Sequence, residues 1–323
     1  MQRHYRLITH YSSLPPLLIT FIFKMHLTPD SPILIQGINT SRSSIQATKN
    51  MKYYGTNIVA CVSPGQGKQQ LDSIPVFNLV EQAIDAVGTI ETSVIFLPPY
   101  QVLDAALEAI DAGIRQLVIL TEGVPPLDMI RLVQKAEMTD TLVIGPNSPG
   151  IIIPDQLLLG TYPQECYQPG SVGLISRSST LNYEIALQLT QAGLGQSMSV
   201  SIGSDLIVGS SLIQWLQILD EDDQTEVIVL IGAVGGSNEE EAALYITEAI
   251  DKPVVAYIAG LHVPQAQLIG HTNSILTTRI VSQNLPSGTA ESKMAALKNA
   301  KIPLATRPSE IPSLVKKAIK KKR

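Results

Sequence analysis

The sequence contains few cysteines and few aromatic residues. Only Cys61 and Cys166 occur among its 323 residues, and their wide spacing fits neither a metal site nor a disulfide framework. Aromatic residues make up 5% of the chain and apolar residues 45%, so we expect an aliphatic core of buried parallel strands flanked by helices. This composition favours a reducing cytosol, and we predict a cytoplasmic location.

Strong charge and a long apolar run are also lacking. The net charge of −5 at pH 7 is mild and spread along the chain, which argues against a nucleic acid partner. Residues 316–323 form a basic cluster, which we interpret as the solvated end of a helix. The apolar run at 14–23 is shorter than the roughly 20 residues that a membrane span needs, and Pro15 and Pro16 would break its helix. We therefore expect no membrane partner.

The start of the chain lacks the alternation of strand and helix patterns that is found from Ile33 onward. Residues 1–29 contain no acidic residue, and the first predicted strand starts only at Ile33. Two interpretations stay open: residues 1–24 are a targeting segment, or translation starts at Met25. Under either one we predict an extension at 1–24, a first domain at 25–150 and a second domain at 151–323.

From Ile33 onward, short apolar runs alternate with amphipathic helical stretches, which predicts βαβ units. Strands are predicted at 33–36, 57–62, 75–77, 93–97, 116–120, 141–144, 171–176, 197–202, 227–231 and 253–258. Helices are predicted at 43–54, 79–87, 100–112, 126–136, 180–192, 210–219 and 238–250. Residues 151–170 look like a linker. The predicted fold class is therefore α/β, with two doubly wound parallel sheets that bind ligands beyond the carboxyl ends of their strands.

The loops at these strand ends lack the usual nucleotide-binding motifs. The loop at 36–44 has only the first glycine of a dinucleotide fingerprint, and no acidic residue follows the second strand to bind a ribose. Val62 and Gln69 stand where a P-loop needs a glycine and a serine or threonine. These absences disfavour an NAD-dependent dehydrogenase.

Three loops that join a strand to a helix are suited to an anion. They lie at 36–44, where Arg42 adds a positive charge, at 176–180 and at 235–240. Backbone N–H groups at a helix N-terminus bind anions, although the same residue types are also ordinary helix caps. Because two such loops occur in the second domain, we favour an anion site there.

Several stretches match one protein family in order and spacing, from about Ile33 to the end of the chain. These stretches lie at 36–37, 75–78, 108–114, 121–123, 145–147, 176–178, 180–181, 183–184, 235–237, 257–260 and 270–271. In these residues the chain resembles the α subunit of succinyl-CoA synthetase, the ADP- or GDP-forming succinate–CoA ligase.

The resemblance implies a fold, a reaction and a partner. The first domain would be a Rossmann-like CoA-binding domain, and the second a flavodoxin-like ligase domain that carries a phosphohistidine. His271 would pass a phosphoryl group to a small carboxylic acid, and CoA would attack the resulting acyl phosphate, as in the tricarboxylic acid cycle. An imidazole is largely neutral and nucleophilic near pH 7. A separate ATP-grasp β subunit would bind ATP or GTP with Mg, in a heterodimer or heterotetramer.

The resemblance also implies site residues. His271 is the expected catalytic residue, and no metal ligand is expected in this chain. The expected CoA-binding residues are Asn39, Thr40, Ser41, Arg42, Lys68, Leu120, Thr121 and Glu122. The expected substrate- and phosphate-binding residues are Ser176, Ser178, Ser179, Tyr183, Gly235, Gly236 and Ser237.

Some positions depart from the family pattern. Ala233 stands where the family has a glutamate that holds the catalytic histidine, and Asp205 is the alternative carboxylate for that role. Gln66 replaces a CoA-contacting lysine, with Lys68 nearby. Two hypotheses therefore stay open: a working ligase subunit, or a diverged, catalytically weak or inactive regulatory protein that binds CoA or acyl-CoA.

Overall fold

The computed structural model describes residues 27–38, 41–261 and 288–322. Two seven-stranded sheets with flanking helices make up the described fold. The predicted extension at 1–24 and three predicted site residues, Asn39, Thr40 and His271, lie outside the described residues.

The first sheet and its helices form the first domain. Its strands are β1 (Ile33–Gln36), β2 (Ile58–Val62), β3 (Gln70–Leu71), β4 (Ile74–Phe77), β5 (Thr92–Ile95), β6 (Gln116–Ile119) and β7 (Leu142–Ile144). Its helices are α1 (Arg42–Tyr54), α2 (Val80–Val87), α3 (Val102–Asp111) and α4 (Pro126–Met138), with a 3₁₀ turn at Pro99–Gln101.

The strand order of the first sheet is that of a Rossmann fold. The order is β3-β4-β2-β1-β5-β6-β7, and every neighbouring pair is parallel except β3 with β4. Chain progression reverses between β1 and β5, so a crevice opens there beyond the carboxyl ends of the strands.

The second sheet and its helices form the second domain. Its strands are β8 (Gly150–Ile153), β9 (Leu157–Gly160), β10 (Pro169–Ser176), β11 (Gln196–Ser201), β12 (Val227–Gly232), β13 (Val254–Ile258) and β14 (Leu304–Ala305). Its helices are α5 (Ser179–Gln191), α6 (Leu212–Glu221), α7 (Asn238–Ala249), α8 (Ala290–Asn299) and α9 (Ile311–Lys322), with 3₁₀ turns at Gln164–Cys166 and Pro308–Glu310.

The second sheet has flavodoxin-like topology. Its order is β14-β13-β12-β10-β11-β8-β9, and strands β10 to β14 pair in parallel. The reversal of chain progression lies between β10 and β12, which makes their carboxyl ends the expected ligand position. The predicted α/β class with two doubly wound sheets is confirmed.

The prediction of a linker at 151–170 was wrong. Strands β8 and β9 form an antiparallel hairpin, and β8 adds to the second sheet by antiparallel pairing with β11. Ile151, Ile152 and Leu158 are fully buried. A tight turn and not a helix joins the two strands, so they do not fit the alternation of strands and helices on which the prediction rested. The predicted domain limits of 25–150 and 151–323 stay predictions.

Burial explains why most of the other strands could be predicted. Every residue of β1, β5, β11 and β12 is buried, as expected for strands with helices on both faces. The predicted helix end at 316–323 is confirmed as far as it is described, since Lys316 and Lys320 of α9 are exposed while Val315 is fully buried. None of the helices in the described ranges is long and apolar enough to cross a membrane.

Candidate functional site

The turn after β1 brings the first helix close to the neighbouring strand end. Gly37 has a φ of +84°, and a Cβ at this position would lie 2.8 Å from Leu97 Cγ, so only glycine fits. Ser41 caps α1 by accepting a hydrogen bond from the Ser44 amide at 3.1 Å. Arg42 is the first residue of α1 and is exposed. The predicted residues Ser41 and Arg42 therefore lie at the crevice of the first sheet.

The loop after β2 wraps around one asparagine side chain. Asn78 Oδ1 accepts hydrogen bonds from the amides of Gly65 at 3.0 Å and Gly67 at 2.9 Å. Lys68 follows with a φ of 74°, and its amide donates to the Val76 carbonyl at 3.1 Å. Its side chain is exposed at the same end of the sheet as Arg42. A fixed loop thus presents the Lys68 ammonium group to solvent.

The loop after β6 is fixed by hydrogen bonds on several sides. Thr121 Oγ1 donates to the Leu97 carbonyl at 2.6 Å, and the Thr121 carbonyl accepts from the Asn147 amide at 2.8 Å. Leu120 and Thr121 are partly buried, whereas Glu122 is exposed. The six described residues among the predicted CoA ligands therefore all follow β1, β2 or β6 at one edge of the sheet.

In the second domain, the loop after β10 leads directly into α5. Ser176 Oγ accepts from the Ser178 amide at 2.9 Å and donates to the Ser178 carbonyl at 2.7 Å. Ser178 is the N-cap of α5, and its Oγ accepts from the Leu181 amide at 3.4 Å. The first turn of α5, which contains Ser179, carries no acidic residue. Tyr183 lies one turn further along, partly exposed. This N-terminus is therefore electrostatically suited to an anion.

The loop after β12 contains the second predicted anion site. Gly235 and Gly236 have φ values of 94° and 67°, in the left-handed region that favours glycine. A Cβ on Gly236 would meet nothing closer than Asn238 Oδ1 at 3.8 Å, so this side of the turn is open. Ser237 is the N-cap of α7, but its hydroxyl donates to Glu241 Oε1 at 2.7 Å and does not cap the backbone.

A buried group of charged side chains lies beneath these two loops. Arg177 Nη1 donates to the Gly235 carbonyl at 2.7 Å and lies 3.3 Å from Glu239 Oε1. Lys293 Nζ donates to the same carbonyl at 3.0 Å, bonds Glu239 Oε2 and lies 3.5 Å from Glu240 Oε2. Arg177 is 6% exposed, and Glu239 and Lys293 are fully buried. These contacts join the loop after β10 to the loop after β12 on the side that faces the protein interior.

The same region connects to the segment that would carry the catalytic histidine. The amide of Gly235 donates to the Gly288 carbonyl at 2.8 Å. Glu240 Oε1 accepts from the Gly288 amide at 3.1 Å and from Ser292 Oγ at 2.7 Å. Gly288 directly follows residues 262–287, which lie outside the described part and include His271. The chain leaving that segment is therefore attached to the glycine turn.

Residues 28–123 match the CoA binding domain family, and residues 175–302 match the CoA-ligase family. The chain is 40% identical over 293 residues to the succinate–CoA ligase [ADP-forming] subunit alpha of Aquifex aeolicus, across 90% of this chain and 93% of that one. It is also 40% identical over 283 residues to subunit alpha 2 of Archaeoglobus fulgidus, across 88% and 95% of the two chains.

The chain belongs to the succinate–CoA ligase α subunit family. This confirms the resemblance inferred from the sequence and the order of a CoA-binding domain followed by a ligase domain.

Solved structures share the family fold at lower identity. ATP citrate lyase from Methanothrix soehngenii, in complex with citrate and coenzyme A, superposes with a TM-score of 0.82 at 20% identity, over 93% of this chain and 51% of that chain. The dinucleotide forming acetyl-coenzyme A synthetase 1 of Ca. Korarchaeum cryptofilum gives a TM-score of 0.66 at 21% identity, over 90% and 59%. At these identities the likeness concerns the fold alone.

Two features of this family member were not apparent from the sequence. Asp205 accepts hydrogen bonds from the Gly123 amide of the first domain and from Asn147 Nδ2 in the segment between β7 and β8, while its predicted role beside His271 stays a prediction. Sequence reasoning also missed the buried charges, because it interpreted the loop at 235–240 as an anion site or a helix cap and gave Lys293 no role. The only signal was the run of acidic residues that opens α7, which is typical of helix N-termini in general.

Proposed function

We propose that this chain is the α subunit of an ADP-forming succinate–CoA ligase that acts through a phosphohistidine at His271. The observation that supports this most directly is the pairing of two anion-suited loops at the reversal point of the second sheet. They follow β10 and β12, which are hydrogen-bonded neighbours. The second loop is also bonded to Gly288, the first described residue after the segment that contains His271.

The proposed reaction has three steps. A neutral imidazole nitrogen of His271 attacks the γ-phosphorus of ATP, the bond to the bridging oxygen breaks, and ADP leaves with that electron pair. A succinate carboxylate oxygen then attacks the phosphorus of phosphohistidine, which frees the imidazole and forms succinyl phosphate. The CoA thiolate finally attacks the acyl carbon, forms the thioester and expels inorganic phosphate.

The residues of the second domain would hold the transferred phosphoryl group. Its negative charge suits the N-terminus of α5, whose first turn carries no acidic residue, and the backbone N–H groups of the turn at 235–237 would be further donors. Arg177 adds a further donor, because its Nε is buried and has no hydrogen-bond partner among the described residues. The side chains and amides proposed to contact phosphate or succinate are those of Ser176, Ser178, Ser179, Tyr183, Gly235, Gly236 and Ser237.

The residues of the first domain would bind CoA. Arg42 at the start of α1 and Lys68 in the neighbouring loop supply positive charge for the CoA phosphates. Asn39, Thr40 and Ser41 belong to the same proposed phosphate loop. Leu120, Thr121 and Glu122 would line the other side of the crevice.

A partner must supply the nucleotide site. The relatives are named as alpha subunits, which implies a β partner. We propose that this β subunit is an ATP-grasp protein that binds the nucleotide and its Mg, in a cytoplasmic heterodimer or heterotetramer. This chain would contribute the phosphorylated histidine, the CoA site and the oxyanion donors.

Labelling with γ-³²P-ATP tests the proposal. The chain is mixed with the β subunit of a relative and labelled ATP, and we expect an acid-labile, base-stable label on His271. His271→Asn is the control and should take no label. One observation favours the second candidate function, a binding protein without turnover: Ala233 replaces the family glutamate. CoA binding by calorimetry together with no label on the unmutated chain would support that alternative and contradict the ligase.

A further inference from the structure

The charges beneath the two proposed phosphate loops balance one another. Arg177 and Lys293 are the cations, and Glu239 and Glu240 are the carboxylates, so the group is formally neutral among the described residues. Glu239 is the centre of the group, because its carboxylate contacts both cations and also accepts the Ala233 amide at 3.0 Å. Removal of one member alone would leave an uncompensated charge in the interior.

Both cations converge on one peptide group. The Gly235 carbonyl accepts from Arg177 at 2.7 Å and from Lys293 at 3.0 Å, so its direction is fixed toward the buried charges. In a trans peptide the following N–H points opposite to the carbonyl. The Gly236 amide must therefore point away from the charges.

We infer that Lys293 and Glu239 are positioning residues for phosphoryl transfer. They hold the Gly235 carbonyl inward, and the Gly236 amide is thereby aimed outward to the place where α7 begins. Arg177 ties this turn to the loop that precedes α5 through the same Gly235 carbonyl. Neither Lys293 nor Glu239 needs to touch the substrate. The inference rests on the proposed phosphohistidine function.

A buried ion network need not stabilise a fold, since apolar groups of similar size often do as well or better. Substitutions can therefore separate an effect on the position of the Gly235 carbonyl from an effect on the stability of the fold. Lys293→Met leaves the carboxylates of Glu239 and Glu240 with Arg177 as their one cation. Lys293→Met combined with Glu239→Gln restores neutrality but leaves Arg177 alone to hold the Gly235 carbonyl. Lys298→Met is the matched control, because Lys298 is exposed on the same helix α8.

Four measurements are made on each variant with the full chain: stability in urea, CoA affinity by calorimetry, amide hydrogen exchange at 233–238, and the rate of His271 labelling at saturating ATP with the β subunit present. In Lys293→Met we expect lower stability, faster exchange at 233–238 and labelling slowed by about tenfold or more, the order of loss for a misplaced catalytic donor. In the double variant we expect stability to recover while labelling stays slow and exchange stays fast. CoA affinity should be unchanged throughout, and Lys298→Met should match the unmutated chain.

Recovery of both stability and labelling rate in the double variant would make the network merely structural and overturn the inference. Unchanged exchange at 233–238 in Lys293→Met would overturn it as well, whatever the labelling shows. The proposed function fails separately, through absence of label on the unmutated chain, and faster exchange in the variants would then still support the anchoring of the turn.

Discussion

Asp205 of the second domain accepts a hydrogen bond from the Gly123 amide of the first domain, at 3.1 Å from its Oδ2. Its other oxygen accepts from Asn147 Nδ2 at 2.9 Å, and the Asn147 amide donates to the Thr121 carbonyl at 2.8 Å. The Asp205 side chain is almost fully buried. One carboxylate of the ligase domain thus fixes the loop that we expect to contact CoA.

Asp205→Asn should weaken CoA binding without contacting CoA. The substituted amide keeps only one acceptor oxygen, so either Gly123 or Asn147 loses its partner and the loop at 121–123 loosens. We expect a loss of about 1 kcal/mol in CoA binding, the usual size of one hydrogen bond, measured by calorimetry. Asp223→Asn, an exposed change in the same domain, is the control. Equal CoA affinity in all three proteins would contradict this role.

Much of the fold could be predicted because most buried strands are short apolar runs and most helices have an amphipathic pattern. Each predicted strand or helix lies within two residues of an observed one. The hairpin of β8 and β9 was missed because a tight turn at Asp155 joins its strands, whereas the prediction rested on strands that alternate with helices. Strands β3 and β14 and helix α8 were not predicted either, and of α9 only the basic end was.

The candidate site could be predicted only in its local parts. Loops such as 176–180 follow a strand and open a helix, and both features are visible in a short stretch of sequence. The pairing of Glu239 with Lys293 joins residues that are 54 positions apart, and only the fold brings them together. Gly123, one partner of Asp205, likewise lies 82 positions away, in the other domain.

Thr56→Val should destabilise the contact between the domains. Thr56 Oγ1 donates to the Leu158 carbonyl at 2.7 Å and accepts from the Leu158 amide at 3.2 Å, in a buried position. Valine has the same shape but leaves both backbone groups of Leu158 without this partner. We expect a loss of about 1–3 kcal/mol in the free energy of unfolding, measured with urea. Thr56→Ser keeps the hydroxyl and should lose less, so equal stability of the two variants would argue against the hydrogen bonds.

Cys61 should make stability fall at alkaline pH. Desolvation raises the pKa of its buried thiol to about 12, with Lys52 as a smaller opposing influence. Because the folded-state pKa is raised, the unfolded chain ionises first, and the stabilisation is present below the unfolded thiol pKa and lost as pH rises toward the folded one. The stability advantage over Cys61→Ala should therefore shrink above about pH 8.5, by roughly 1.4 kcal/mol for each further pH unit.

Urea unfolding of the unmutated chain and Cys61→Ala at neutral and alkaline pH measures this effect. Cys166 is present in both proteins, so the change in its own raised pKa cancels in the comparison. A stability difference that stays constant with pH would mean that the Cys61 thiol ionises equally well in both states.

Ala233→Glu should accelerate phosphorylation of His271. Ala233 follows β12 directly, its amide is held by Glu239 Oε1 at 3.0 Å, and its side chain is partly exposed, so the backbone is fixed while the side chain has room. A carboxylate that orients a catalytic imidazole and stabilises its cation can change rates by up to about 10⁴. We expect labelling with γ-³²P-ATP and a β subunit to become about tenfold faster or more.

A comparison of a charged with an uncharged side chain at position 233 shows whether Ala233→Glu acts on His271 through its charge or through its volume. Ala233→Gln has the same length and can accept a hydrogen bond, but it cannot stabilise an imidazolium charge, so it should give a smaller gain than Ala233→Glu. Equal gains in the two variants would indicate that volume matters and charge does not. No gain from Ala233→Glu, in a chain that already labels fast, would mean that another carboxylate holds His271. Ala233 would then be a neutral replacement within a working ligase, and Asp205→Asn would be the next variant to label, because a carboxylate that accepts two hydrogen bonds can accept others.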